Sequence, residues 1–76
     1  MKIYRLYYTF YSEDYHRPGG IWWYRDFDNQ KEFNKYKEAI KPVVVKMQYV
    51  VDDFENLPIH KEIKPPENAI QLWAKH

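Results

Sequence analysis

Seventy-six residues suffice for one small core and no second, so the whole chain, 1–76, is expected to fold as a single α/β domain. Without cysteine there is neither a disulfide framework nor a thiolate metal site, and the three Trp, four Phe and eight Tyr must supply much of the packing. Twelve Lys and Arg against eleven Asp and Glu leave a net charge of +1, not the basic excess that marks most nucleic-acid binders.

The opening Met1-Lys2-Ile3-Tyr4-Arg5 alternates instead of running into the apolar block of a signal peptide. The first strand is read over Lys2 to Tyr11. Tyr4, Leu6, Tyr8 and Phe10 make the better core face, because the opposite set includes Arg5 and Thr9 beside Ile3, Tyr7 and Tyr11. Ser12 to Gly20 reads as a loop holding Pro18 and both glycines of the chain, the mark of a sharp reversal. The second strand, Ile21 to Phe27, carries rings on both sides. Ile21, Trp23, Arg25 and Phe27 point one way and Trp22, Tyr24 and Asp26 the other.

Asn29 followed by Glu32 resembles a capping box, with Asp28 as an alternative cap, and Phe33, Tyr36 and Ile40 give the ensuing helix one apolar stripe. Pro42 is expected to stop it. A third strand follows over Val43 to Val51, with Val43, Val45, Met47, Tyr49 and Val51 inward. After the turn at 52–58, Ile59 to Ile63 reads as a short fourth strand. Pro66 then opens a final helix from Glu67 to Ala74 that packs through Ile70 and Trp73.

These elements predict an α+β fold, β-β-α-β-β with a short C-terminal helix. Alternating strand direction lets the first and third strands pair, which gives an antiparallel sheet of order 2-1-3-4 with the main helix on one face. In that layout Asp26, Asp28, Asp52, Asp53 and Glu55 gather at one pole as a candidate acidic surface, partly offset by Lys2 and Arg5. Asp and Asn also favour caps and turns for local reasons, and that reading competes with the functional one.

Rings on both sides of the aromatic strand leave Tyr7, Tyr11, Trp22 and Tyr24, with Arg25, on the less protected face as the candidate partner-binding site. The competing reading closes the C-terminal segment over them as a second small core. Rings interleaved with Arg5, Arg17 and Arg25 also allow a stacking platform for single-stranded nucleic acid, although the glycine-bearing aromatic motif of the RNA-recognition sheet is absent. An aromatic edge strand guarded only by Arg25 and Asp26 invites pairing with a second copy of the chain.

His16, His60 and His76 form no metal-ligand spacing. His16 beside Glu13 and Asp14 is the one place where a metal or acid–base cluster could assemble, and an exposed histidine explains it as well. Ser12 is the only serine, Thr9 the only threonine, and no phosphate loop is present. The expectation is a non-enzymatic protein without metal or cofactor.

In size, layout and the candidate acidic pole of Asp26, Asp28, Asp52, Asp53 and Glu55, the chain resembles small phage-encoded inhibitors of bacterial defence, such as anti-CRISPR proteins. That resemblance implies a cytoplasmic protein that occupies a nuclease or ribonucleoprotein complex and blocks its work on nucleic acid. The near-neutral charge departs from the strongly acidic members that imitate nucleic acid.

Overall fold

A computed structural model gives the fold and describes residues 1–16, 20–57 and 64–75. Four antiparallel strands form one sheet: β1 (Lys2–Thr9), β2 (Trp23–Phe27), β3 (Lys46–Asp53) and β4 (Ile70–Ala74). Their order is β2-β1-β3-β4, as the alternation of strand directions predicted. A short helix, α1 (Ser12–His16), links β1 to the segment before β2, and α2 (Gln30–Ile40) lies between β2 and β3.

The α2 face of the sheet holds the apolar core. Leu6, Phe33, Val44 and Met47 are buried together, and Tyr4, Tyr8, Phe27, Tyr36, Ile40, Tyr49, Leu72 and Trp73 pack around them. Phe33 is the hub: its ring lies 5.3 Å from Tyr4, 5.9 Å from Phe27 and 5.3 Å from Tyr49, centroid to centroid. α2 is placed there by its stripe of Phe33, Tyr36 and Ile40. Its first turn is capped by Asn29, whose Oδ1 accepts from the backbone N–H of Lys31 at 2.8 Å and of Glu32 at 3.2 Å.

Three expectations are corrected. The third strand does not start at Val43: α2 stops at Ile40, ahead of Pro42 as expected, but a further turn follows it. Lys41 keeps right-handed helical angles (φ −49, ψ −42), and the N–H groups of Val43 and Val44 both donate to the Ile40 carbonyl. The strand therefore begins only at Lys46, so Val44 takes the buried place and Val43 is turned out to solvent. Second, Ser12–His16 is helical rather than a loop, with Glu13 and Asp14 in its first turn where the helix dipole favours acids.

Third, no helix spans Glu67 to Ala74. One turn closes by the Ala69 N–H to Pro66 carbonyl bond, and Ile70–Ala74 then runs extended beside β3 as the fourth strand. The i, i+3 spacing of Ile70 and Trp73 suits a helix, but the open edge of β3 offers a backbone ladder. In the extended form Trp73 packs on the core and donates its Nε1–H to the Val44 carbonyl at 3.2 Å. The expected strand at 59–63 lies outside the described residues.

The second face of the sheet is the larger surprise. Ile3, Arg5, Tyr7 and Thr9 are all buried, although this side of β1 looks the poorer core from composition. Each polar group is satisfied. Arg5 grips Asp26 with two hydrogen bonds of 2.7 and 2.9 Å, and its guanidinium lies 4.3 Å from the Tyr24 ring centroid. Hydrogen bonding to Asp26 raises the Arg5 pKa further above its already high ordinary value, so the charge is permanent. Thr9 donates its hydroxyl to the Ile21 carbonyl at 3.0 Å. Asp14 of α1, Trp22 and Leu57 are buried as well. A side chain at Gly20 would run into the backbone carbonyl of Asp14, which accounts for a glycine where the chain comes back against α1.

Candidate functional site

The register of the sheet sorts the surface into two poles. At one, Lys2 stands opposite Asp53 and Ile3 opposite Asp52, while Tyr4 faces Phe27. At the other, Thr9 stands opposite Lys46, which faces Ala74 in turn. The predicted partner-binding residues are divided by this geometry rather than gathered. Tyr7 is 2% exposed and Trp22 8%, so both belong to the interior, while Tyr24 is half-buried over Arg5 and its ring is 6.1 Å from that of Tyr7. Tyr11 and Arg25 are at the surface, the latter with its guanidinium 4.7 Å from the Tyr36 ring centroid.

Tyr11 belongs to a different constellation. Beyond Thr9 the chain leaves β1, so Phe10 and Tyr11 sit on the rim of the sheet. Ile21 and Trp23 arrive at the same rim from the start of β2, and Val43 from the extended turn after α2. These five side chains are between 40% and 64% exposed, and with Asp14 they line one cavity of about 430 Å³. The Phe10 ring is held edge-on to Tyr8 at 5.8 Å. Large apolar side chains are normally scattered singly over a monomer, and a contiguous group around a hollow marks an interaction surface.

Of this group, reading the sequence found Tyr11 alone. Alternation along Lys2–Tyr11 and Val43–Val51 points Phe10 and Val43 inward, but β1 ends at Thr9 and β3 starts at Lys46. The signals that shorten those strands were present. Ser12-Glu13-Asp14 is a helix start that releases Phe10 and Tyr11 from the pleat, and the turn at Pro42 rotates Val43 outward.

The acidic residues are used in two ways. Asp26 is committed to Arg5. Asp52 serves the turn after β3, its Oδ1 accepting from the Asp53 N–H at 2.7 Å and from Asn56 Nδ2 at 3.3 Å. Asp28, Asp53 and Glu55 are exposed at this pole. Between Asp53 and Glu55 the 3-10 turn Phe54–Asn56 presents a phenyl ring that is 58% exposed.

Little here suits other chemistry. Among the described residues no three His, Asp or Glu side chains converge to hold a metal ion, and no helix is long and apolar enough to cross a membrane. His16 lies on the exposed side of α1, two residues from the buried Asp14. With Arg5 sealed against Asp26, it is withdrawn from any stacking platform. Comparison with protein-family models, curated proteins and solved structures gave no match to this chain.

Proposed function

We propose that the protein is a non-enzymatic binding module whose contact surface is the apolar pole of Phe10, Tyr11, Ile21, Trp23 and Val43. The observation that carries this reading is the clustering of those exposed side chains around one cavity. They are fixed rather than floppy, because β1, β2 and the turn after α2 are tied to one sheet. The Val45 N–H donates to the Thr9 carbonyl at 2.9 Å, and Thr9 in turn holds Ile21. A preorganised aromatic surface loses little side-chain entropy on binding, which favours macromolecular contact. The inhibitor form of this reading, taken from the resemblance in size and layout, adds a nuclease or ribonucleoprotein complex as the partner.

The test is capture from a host lysate by the wild-type protein and by a Tyr11→Ala, Trp23→Ala double variant of matched melting temperature. Specific capture by the first and its loss in the second support the reading; equal capture by both moves the contact surface elsewhere. Titration with single-stranded RNA or DNA at two salt concentrations separates the nucleic-acid alternative, since phosphate contacts make affinity fall steeply with salt.

A further inference from the structure

The two edges of the sheet are finished differently. Among the described residues, β4 closes one side and β2 the other. β4 is blunted: its pairing with β3 slips between Met47 and Gln48, and Lys75 follows it directly. β2 has neither device. It pairs with β1 in unbroken register from Trp23 to Phe27, and its outer N–H and C=O groups meet no other backbone among the described residues. Nor do its two charges guard it. Asp26 is turned to Arg5 of the neighbouring strand, and the Arg25 guanidinium lies back against Tyr36, 4.7 Å from the ring centroid. An open ladder beside uncovered rings is a template for one more strand.

The residues of β2 select which strand. A two-fold axis normal to the sheet sets two copies of β2 antiparallel and keeps like faces together, so each side chain meets one from the same face. Centring that axis on Arg25 puts two guanidinium groups opposite each other, and like charges directly opposed destabilise a pair. Centring it on Trp23 sets Arg25 against the aliphatic Ile21. Centred on Tyr24, the pairs are complementary. Trp23, half exposed, meets the exposed Arg25, and Ile21, 60% exposed, meets Phe27. The guanidinium is planar and uses one face on Tyr36, which leaves its second face for the Trp23 ring of the other copy.

We propose that the protein forms a two-fold dimer through the outer edge of β2, centred on Tyr24, with Trp23 of each copy stacked on Arg25 of the other. Two four-stranded sheets become one, with both α2 helices on the same side. The new ladder runs only from Ile21 to Phe27, short of a standard interface, so the dimer forms with rising concentration and is not obligate. It goes beyond the binding-module reading: it shares Ile21 and Trp23 with the apolar pole, but stands on the strand edge and leaves Phe10, Tyr11 and Val43 to a further partner.

In sedimentation equilibrium over rising concentration, the mass should reach that of two chains and stop there. Trp23→Ala and Arg25→Ala, both at exposed positions, should each weaken association by about tenfold or more while far-UV circular dichroism stays unchanged. Because these side chains meet across the interface, the double variant should lose little more than either single one. Cross-linking reads the register, and a chain without cysteine keeps it clean. Tyr24→Cys sets two thiols opposite each other at the axis and should give a disulfide-linked dimer on oxidation. Tyr24 also covers Arg5, so a second pair avoids it: Trp23→Cys and Arg25→Cys chains should cross-link when mixed and not when alone. A wild-type monomer up to about 1 mM, the weak end of specific association, overturns the inference. So does growth past two copies, additive loss in the double variant, or a folded mixture of the two cysteine chains that fails to cross-link. Tyr11→Ala separates this dimer from the binding-module reading, since it should lose lysate capture and keep the dimer. A wild-type monomer that still captures a lysate protein through Tyr11 defeats the dimer alone and leaves the binding-module reading standing.

Discussion

The two faces of the sheet solve the same burial problem with different chemistry. On the α2 face, rings pack against rings: Phe27, Phe33, Tyr36 and Tyr49 are within 6 Å of one another through successive contacts, and the polar tips pair locally, the Tyr8 and Tyr36 hydroxyls 3.3 Å apart and the Trp73 Nε1–H on the Val44 carbonyl. On the opposite face a permanent cation is buried beside Tyr7, and the structure compensates it with a carboxylate and a π face. An apolar face needs only the right volume. A face built around Arg5 also needs every partner in place, because a buried charge that loses its counterion keeps the full desolvation cost.

The largest expected effects fall on the aromatic anchors of each face. Phe33→Ala removes the hub of the α2 side, and Trp22→Ala removes a buried ring outside that cluster. Each should destabilise by about 3–5 kcal/mol, read as a shift of the urea midpoint. Equal losses would show that the second face is core of the same standing. A loss near zero for Trp22→Ala would return that ring to the surface, where composition first placed it.

Asp26→Ala comes next, with an expected cost of about 1–3 kcal/mol. The value belongs at the lower part of that range, because the Asp26 side chain is 31% exposed and water can approach the vacated place. Asp26→Asn should lose less, since an acceptor remains for Arg5. If both substitutions are neutral, the ion pair fixes no more than a surface contact would.

A smaller effect separates the faces by pH. The Tyr8 hydroxyl is pushed up to about 12, first by burial and then by its hydrogen bond with Tyr36. The folded state thus holds the Tyr8 proton more tightly than the unfolded chain, whose tyrosine titrates near 10. The associated stability is complete below pH 10 and is lost as pH rises from 10 toward 12. Melting temperature should fall more steeply across that window in the wild type than in Tyr8→Phe, which has no proton to lose there.

The α2 face was legible in the sequence and the second face was not, for a physical reason. Phe33, Tyr36 and Ile40 repeat at helical spacing, Asn29 is a recognisable cap, and alternating directions dictate the strand order. All of that is local or topological information. The burial of Arg5 depends on Asp26, twenty-one positions away, and on Tyr24 stacking over it, so a rule that counts charged residues along a strand sends the wrong face outward. The last strand failed differently. Ile70 and Trp73 repeat at helical spacing and would fall on opposite faces of a strand, where Ile70 stays exposed, yet the free edge of β3, which no window around residue 70 contains, wins.

The smallest expected change in stability lies at Trp23, one residue beyond Trp22. The pleat sends neighbouring side chains to opposite sides, but that does not by itself leave one of them exposed. Trp23 faces the α2 side opposite Tyr8, at the end of β2 where the rim is open, and it remains half exposed. Trp23→Ala should therefore move the unfolding free energy by no more than about 0.5 kcal/mol, the range for surface positions, against several for its neighbour. Its effect should appear in binding, where truncating a central aromatic ring costs most. Denaturation and binding measured on the same two single variants thus divide the rings that hold this domain together from those that meet a partner. A Trp23→Ala protein that unfolds as readily as Trp22→Ala would put Trp23 in the core and leave the apolar pole without its largest side chain.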